Sequence, residues 1–81
     1  EFVPNPLTGS GRIVIHSKEQ SAARLMMFDA FGKRVGYREF PLVRGSQEIL
    51  LPETGQWPSG MYSWLLLIGS NRVAEGKVVK P

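Results

Sequence analysis

Glycine and proline recur at short, near-regular intervals along this chain, and that spacing leaves no room for long helices. Pro4-Asn5-Pro6, Gly9-Ser10-Gly11, Phe31-Gly32-Lys33, Arg44-Gly45-Ser46, the stretch from Pro52 to Gly60, and Gly69-Ser70-Asn71 each interrupt regular structure. Proline lacks the N–H that a ladder needs, and glycine reaches the conformations that tight turns require. The pieces between the breaks are strand-length and rich in β-branched and aromatic residues. In Arg12 to His16, Ile13 and Ile15 alternate with Arg12, Val14 and His16. In Arg24 to Asp29, Leu25 and Met27 share one parity. Lys33 to Phe40 sets Val35 and Tyr37 on the parity of Lys33 and Glu39, with Arg34 and Arg38 opposite; Gln47 to Leu51 and Val73 to Lys80 are further runs. Ser17 to Arg24 mimics a capping box through Ser17 and Gln20, but it has no apolar stripe and reads as a wide hairpin loop.

Met61 to Ile68 carries the strongest pattern. Tyr62, Trp64, Leu66 and Ile68 are apolar at period two, and the opposite set, Met61, Ser63, Leu65 and Leu67, is mostly apolar as well. A strand apolar on both faces belongs in a central position, its second side covered by a loop, another sheet or a partner. A second copy of the chain is one such partner, so a homodimer through this strand is an expectation. The predicted fold is all-β: an antiparallel, immunoglobulin-like β-sandwich of about seven strands. Its predicted core is Ile13, Ile15, Leu25, Met27, Val35, Tyr37, Ile49, Leu51, Trp57, Tyr62, Trp64, Leu66 and Ile68.

Composition narrows the function classes. With 81 residues, 42% of them hydrophobic, residues 1–81 are read as a single domain able to bury a core of its own. No cysteine is present, which removes disulfides and thiolate metal sites. The net charge of +3 comes from ten Lys/Arg dispersed among seven acids, with only Lys33 and Arg34 adjacent. A phosphate-binding footprint needs clustering, so no nucleic-acid partner is expected. No apolar run approaches the roughly 18 residues of a membrane span, and no signal peptide is recognised. The chain does not open on methionine and reads as part of something longer, with Glu1-Phe2 a candidate cloning remnant. Catalytic chemistry needs convergent groups. His16, the one histidine, stands on the polar face of its strand with no second ligand or carboxylate at metal or triad spacing. Gly9-Ser10-Gly11 lacks the lysine and the following helix of a phosphate loop. The expectation is a non-enzyme without cofactor.

Two resemblances are carried by motifs. Leu51-Pro52-Glu53-Thr54-Gly55 is similar to the Leu-Pro-x-Thr-Gly cell-wall sorting signal, in which a sortase cuts between threonine and glycine. That signal needs a membrane-stalling helix of roughly 17 residues behind it. Here the apolar run ends at Gly69 and its period is two, so the pentapeptide reads as a turn.

The second resemblance spans nearly the whole chain. In order come Pro4-Asn5-Pro6, a Gly-led strand from Gly11 to Ile15, Leu25-x-Met27-Phe28-Asp29-x-x-Gly32-Lys33-x-Val35, Trp57-Pro58-Ser59-Gly60-Met61-Tyr62, and Gly76-Lys77-Val78-Val79-Lys80. This series resembles the C-terminal sorting domain (type A) of proteins exported by the bacterial type IX secretion system. Phe28 stands where that family commonly has tyrosine, Trp57 where it has leucine, and Pro81 follows the closing lysine. The resemblance implies a signal that takes a cargo protein through the periplasm and the outer membrane to the cell surface or medium. Its partners would be the outer-membrane translocon and shuttle proteins, and a sortase-like cysteine protease that removes the domain. Lys77, Val78, Val79 and Lys80, with Gly60 and Tyr62, are the expected recognition residues; Pro4, Asn5, Pro6, Asp29, Gly32 and Lys33 are the expected structural motif. An exposed C-terminal edge strand would offer backbone groups for strand augmentation. The alternative is an immunoglobulin-like accessory module that binds carbohydrate or protein at the cell surface, with Trp57 and Trp64 as an exposed stacking platform.

Overall fold

A computed structural model describes residues 1–81. The strands are β1 (Phe2–Val3), β2 (Gly11–Ser17), β3 (Ser21–Phe28), β4 (Arg34–Leu42), β5 (Gly45–Leu51), β6 (Gly60–Ile68) and β7 (Asn71–Lys80), with one 3-10 turn at Pro52–Gln56. All pairings are antiparallel. They build two sheets, ordered β1-β2-β5 and β4-β3-β6-β7, packed as a β-sandwich. The fold is therefore all-β with seven strands.

The breaks in the sequence act in two ways. Asp29–Lys33 and Gly69–Ser70 close hairpins within the larger sheet, and positive φ at Gly32 (82°) makes the first reversal possible. The Asp29 carboxylate accepts from Phe31 N and Lys33 N, both at 2.9 Å, tying that turn from inside. Arg44–Ser46 and Pro52–Gly60 move the chain between sheets, whereas residues 4–10 link β1 to β2 within the smaller sheet. Residues 18–20, read above as part of a wide hairpin loop, instead carry the chain from β2 in one sheet to β3 in the other, and Ser21–Arg24 are already strand. A hairpin is excluded because β2 pairs only with β1 and β5. The Ser17 hydroxyl turns this corner by bonding Glu19 N and O.

The core lies between the sheets. Ile13, Leu25, Met27, Leu51 and Val78 are almost completely enclosed, each burial contributing roughly 1.5–3 kcal/mol. Tyr62, Trp64 and Leu66 form the inward set of β6, with Ile68 half-buried at its end. Val35, Ile49 and Trp57 pack at the core's edge.

Tyr37 is the exception to the expected core: it is exposed, and from Gly36 onward its strand turns the opposite parity inward from the one expected. Phe40 and Leu42, on the parity of Gly36 and Arg38, are the buried residues of β4. Two inward positions hide that parity. Gly36 leaves space that Met27 fills, and Arg38 reaches past the core to Leu50 O at 3.1 Å and Glu53 at 3.0 Å. Tyr37 instead meets Arg34 over its ring at 5.2 Å and donates to Glu39 at 2.7 Å. The Glu39 carboxylate, accepting that proton's bond, raises the Tyr37 hydroxyl above its ordinary pKa.

The outward set of β6 has no second layer over it. Leu65 lies between Met26 and Glu75, and Leu67 between Arg24 and Arg72, in cross-strand register. These neighbours leave Ser63, Leu65 and Leu67 half-buried. Long arginine side chains cover apolar neighbours while keeping their charge in water, so one solvated sheet face accommodates a strand that reads as apolar on both sides.

Trp64 packs flat on β7 because Gly76, its register partner, has no side chain. A Cβ at Gly76 would lie 2.8–2.9 Å from the indole ring. Gly76→Ala is expected to destabilise the domain by about 1–3 kcal/mol through overpacking against a rigid ring. Urea unfolding checks it, and an unchanged midpoint would refute the close packing.

Candidate functional site

The residues singled out by the sequence pattern meet at one end of the sandwich. The β6–β7 register pairs Gly60 with Lys80, Met61 with Val79, and Tyr62 with Val78, so two segments far apart in sequence become one surface. The β3–β4 turn joins them: Asp29 and Ala30 line a hollow of about 280 Å³ with Met61, Tyr62, Ser63 and Lys77. Pro4-Asn5-Pro6 lies on the far side of β7. Asn5 Nδ2 donates to Lys77 O and Asn5 Oδ1 accepts from Val79 N, both at 3.2 Å, and Leu7 N donates to Val79 O at 2.7 Å.

That arrangement changes the roles of several residues. The Asn5 side-chain amide presents one donor and one acceptor, as a neighbouring strand would. Lys77 O, Val79 N and Val79 O are thus already engaged, and this stretch of β7 is not an open template for strand augmentation. Pro4 and Pro6 flank this stitch and follow β1. Val78 is 1% exposed and belongs to the core, so it is not part of a recognition surface. Strand alternation requires this: with Val79 outward opposite Met61, Val78 must face the other sheet. Lys80 is half-buried, and its ammonium donates to Thr54 O and Gly55 O, both at 3.0 Å, which makes it a fastener for the 3-10 turn. Ser59 Oγ holds Pro81 O at 3.0 Å. Tyr62 is buried, stacked on Trp57 at 4.3 Å between ring centroids, and its hydroxyl donates to Pro58 O.

What remains open to a partner is narrower. Met61 and Val79, 50% and 40% exposed, form an apolar cross-strand pair, with Lys77 beside them. Phe31 is 95% exposed at the tip of the turn whose base lines the same hollow, and Lys33 is exposed nearby in sequence. Phe31 was missing from the expected site because it looked like part of a turn signal. A bulky aromatic residue at a turn tip, where composition favours small polar residues, was the available clue.

Trp64 lies in the core and Trp57 is stacked on Tyr62, so the exposed pair required for sugar stacking is absent. Thr54 is fully buried, accepting from Gly11 N and donating to Leu51 O at 2.7 Å, so the Leu51–Gly55 pentapeptide is built into the fold. His16 is exposed with Nδ1 2.7 Å from Ser46 Oγ. No group of three or more His, Cys, Asp or Glu is placed to hold a metal ion. Phe2 is buried and pairs with Ile13 in β1. No helix is long and apolar enough to cross a membrane. Comparison with models of known families, with curated proteins and with solved structures returns no match.

Proposed function

We propose that this domain is a sorting signal of the type IX kind, read by the export machinery on the outer face of the β6–β7 end. The observation that carries the reading is the convergence just described: Asn5, Asp29, the Gly60–Tyr62 segment and the Lys77–Lys80 segment, from four separate phrases that resemble the family, meet around one apolar pair, Met61 and Val79. The contact set is Phe31, Met61, Val79, Lys33 and Lys77; Val78, Lys80, Tyr62, Asn5 and Asp29 hold it in place. The cargo would precede Glu1, the translocon and its shuttle proteins would be the partners, and a sortase-like protease would remove the domain after passage to the cell surface. The sandwich is read as immunoglobulin-like. Its strand order matches the constant-type arrangement with the fourth strand moved from one sheet to the edge of the other.

An export assay tests it. Residues 1–81 follow a signal peptide and a fluorescent reporter in a bacterium with a working type IX system. The intact fusion is expected on the surface or in the medium, and Met61→Asp and Val79→Asp are expected to hold it in the periplasm, lowering export by about tenfold. Both positions are half-exposed, so these variants keep the fold. Normal export of both would remove the proposed face. Retention of the intact, folded fusion would favour a surface-binding module.

A further inference from the structure

The opposite end of the sandwich is unfinished. β1 covers the outer edge of β2 only at Phe2–Val3, and ahead of it Glu1 completes one more strand-like pair: its nitrogen donates to Val14 O and its carbonyl accepts from Val14 N, each at 2.7 Å. β2 continues to Ser17 with nothing beside it on that side. Antiparallel alternation turns the His16 N–H and C=O the same way as those of Val14, toward the position vacated by β1. Behind this bare edge a groove of about 540 Å³ enters the core, lined by Ile15, Trp64, Leu66, Ile68, Val73 and Ala74 among others. Val73 is 49% exposed and Ile68 half-buried because nothing closes the groove.

We infer that three residues of polypeptide joined to the Glu1 nitrogen extend β1 along β2 and seal this groove. The occupant follows from direction and register. Glu1 already sits in line at strand spacing, so the residue bonded to it falls opposite Ile15, the next opposite His16 and the third opposite Ser17. Phe2 points into the core, so the residue opposite Ile15 does too, and an apolar side chain there meets Trp64 and Leu66. The residue opposite His16 exchanges two backbone hydrogen bonds with it. A strand in another molecule would lose this continuity and would have to stop against the Glu1 ammonium. The inference rests on the sorting reading for a cargo ahead of Glu1; its geometry does not. The junction between cargo and domain is then an ordered strand, not a free linker.

The test uses the 81-residue chain and versions carrying Thr-Thr-Val, Thr-Thr-Asp or Thr-Pro-Val ahead of Glu1. Amide hydrogen exchange at His16 is the readout. Thr-Thr-Val is expected to slow it by about tenfold or more, while aspartate opposite Ile15, or proline without its donor opposite His16, removes most of that protection. Equal His16 exchange with and without Thr-Thr-Val would overturn the inference. So would protection that grows with protein concentration, which would mean that a second copy fills the groove. No step of this test involves export, so its failure leaves the sorting reading untouched, and a failed export assay leaves the strand extension standing.

Discussion

Val78→Asp is expected to abolish folding, whereas Val79→Asp is expected to leave the unfolding midpoint nearly unchanged. The two residues are adjacent and chemically identical, but Val78 is 1% exposed and Val79 is 40% exposed. A carboxylate at Val78 would face the other sheet without a partner. Burying an unpaired charge costs several kcal/mol, and a domain of this size has only about 5–15 kcal/mol in total, with small domains at the low end. At Val79 the side chain lies on the solvated face, and the bonds to Asn5 and Leu7 use only backbone atoms of that residue. A change of no more than about 0.5 kcal/mol is expected there. Urea titration and near-ultraviolet circular dichroism separate the cases. A folded Val78→Asp variant with the parental midpoint would mean that β7 is registered one residue away. For the same reason, charging both valines together cannot distinguish lost recognition from lost structure.

Thr54→Val should cost about 2–4 kcal/mol although the side chain keeps its shape. The hydroxyl accepts from Gly11 N and donates to Leu51 O inside the protein, fastening the 3-10 turn to β2. Valine leaves that buried donor and acceptor without the bonds, at about 1–3 kcal/mol for each unsatisfied group. Thr54→Ser keeps the hydroxyl and is expected to recover most of the difference. If valine and threonine variants unfold at the same denaturant concentration, the buried hydroxyl bonds do not hold the turn. The native domain is also expected to resist a wall-sorting sortase, because the Thr54 side chain is enclosed and the segment is coiled in a 3-10 turn.

The strands of this protein were legible where one apolar parity was unbroken. In β2, β3 and β6 the residues expected inside are inside: Ile13 and Ile15, Leu25 and Met27, Tyr62, Trp64 and Leu66. A period-two pattern states which side chains share a face, and burial then has only one solution. β4 defeated the same reasoning because Gly36 and Arg38 occupy inward positions and Tyr37 faces out, while Val35 still reaches the core's edge at the bulge opposite Met27 and Phe28. β1 was invisible, since two residues carry no period. Val78 and Val79 read as one apolar pair, and only pairing with β6 sends them to opposite faces.

The candidate site shows the division most clearly. From the sequence alone came an all-β chain, the turns that divide it, the lack of metal or nucleophile constellations, and a set of phrases worth locating. Those are properties of neighbouring residues, governed by local conformation and by chemistry that is either present or missing. The tertiary structure alone decided that Asn5 covers the edge of β7, that Lys80 grips the carbonyls of Thr54 and Gly55, and that Asp29 and Ala30 line one hollow with Met61 and Lys77. Each depends on contacts between residues tens of positions apart, where the strand order of two sheets, and not any local pattern, determines which groups meet and which are left for a partner.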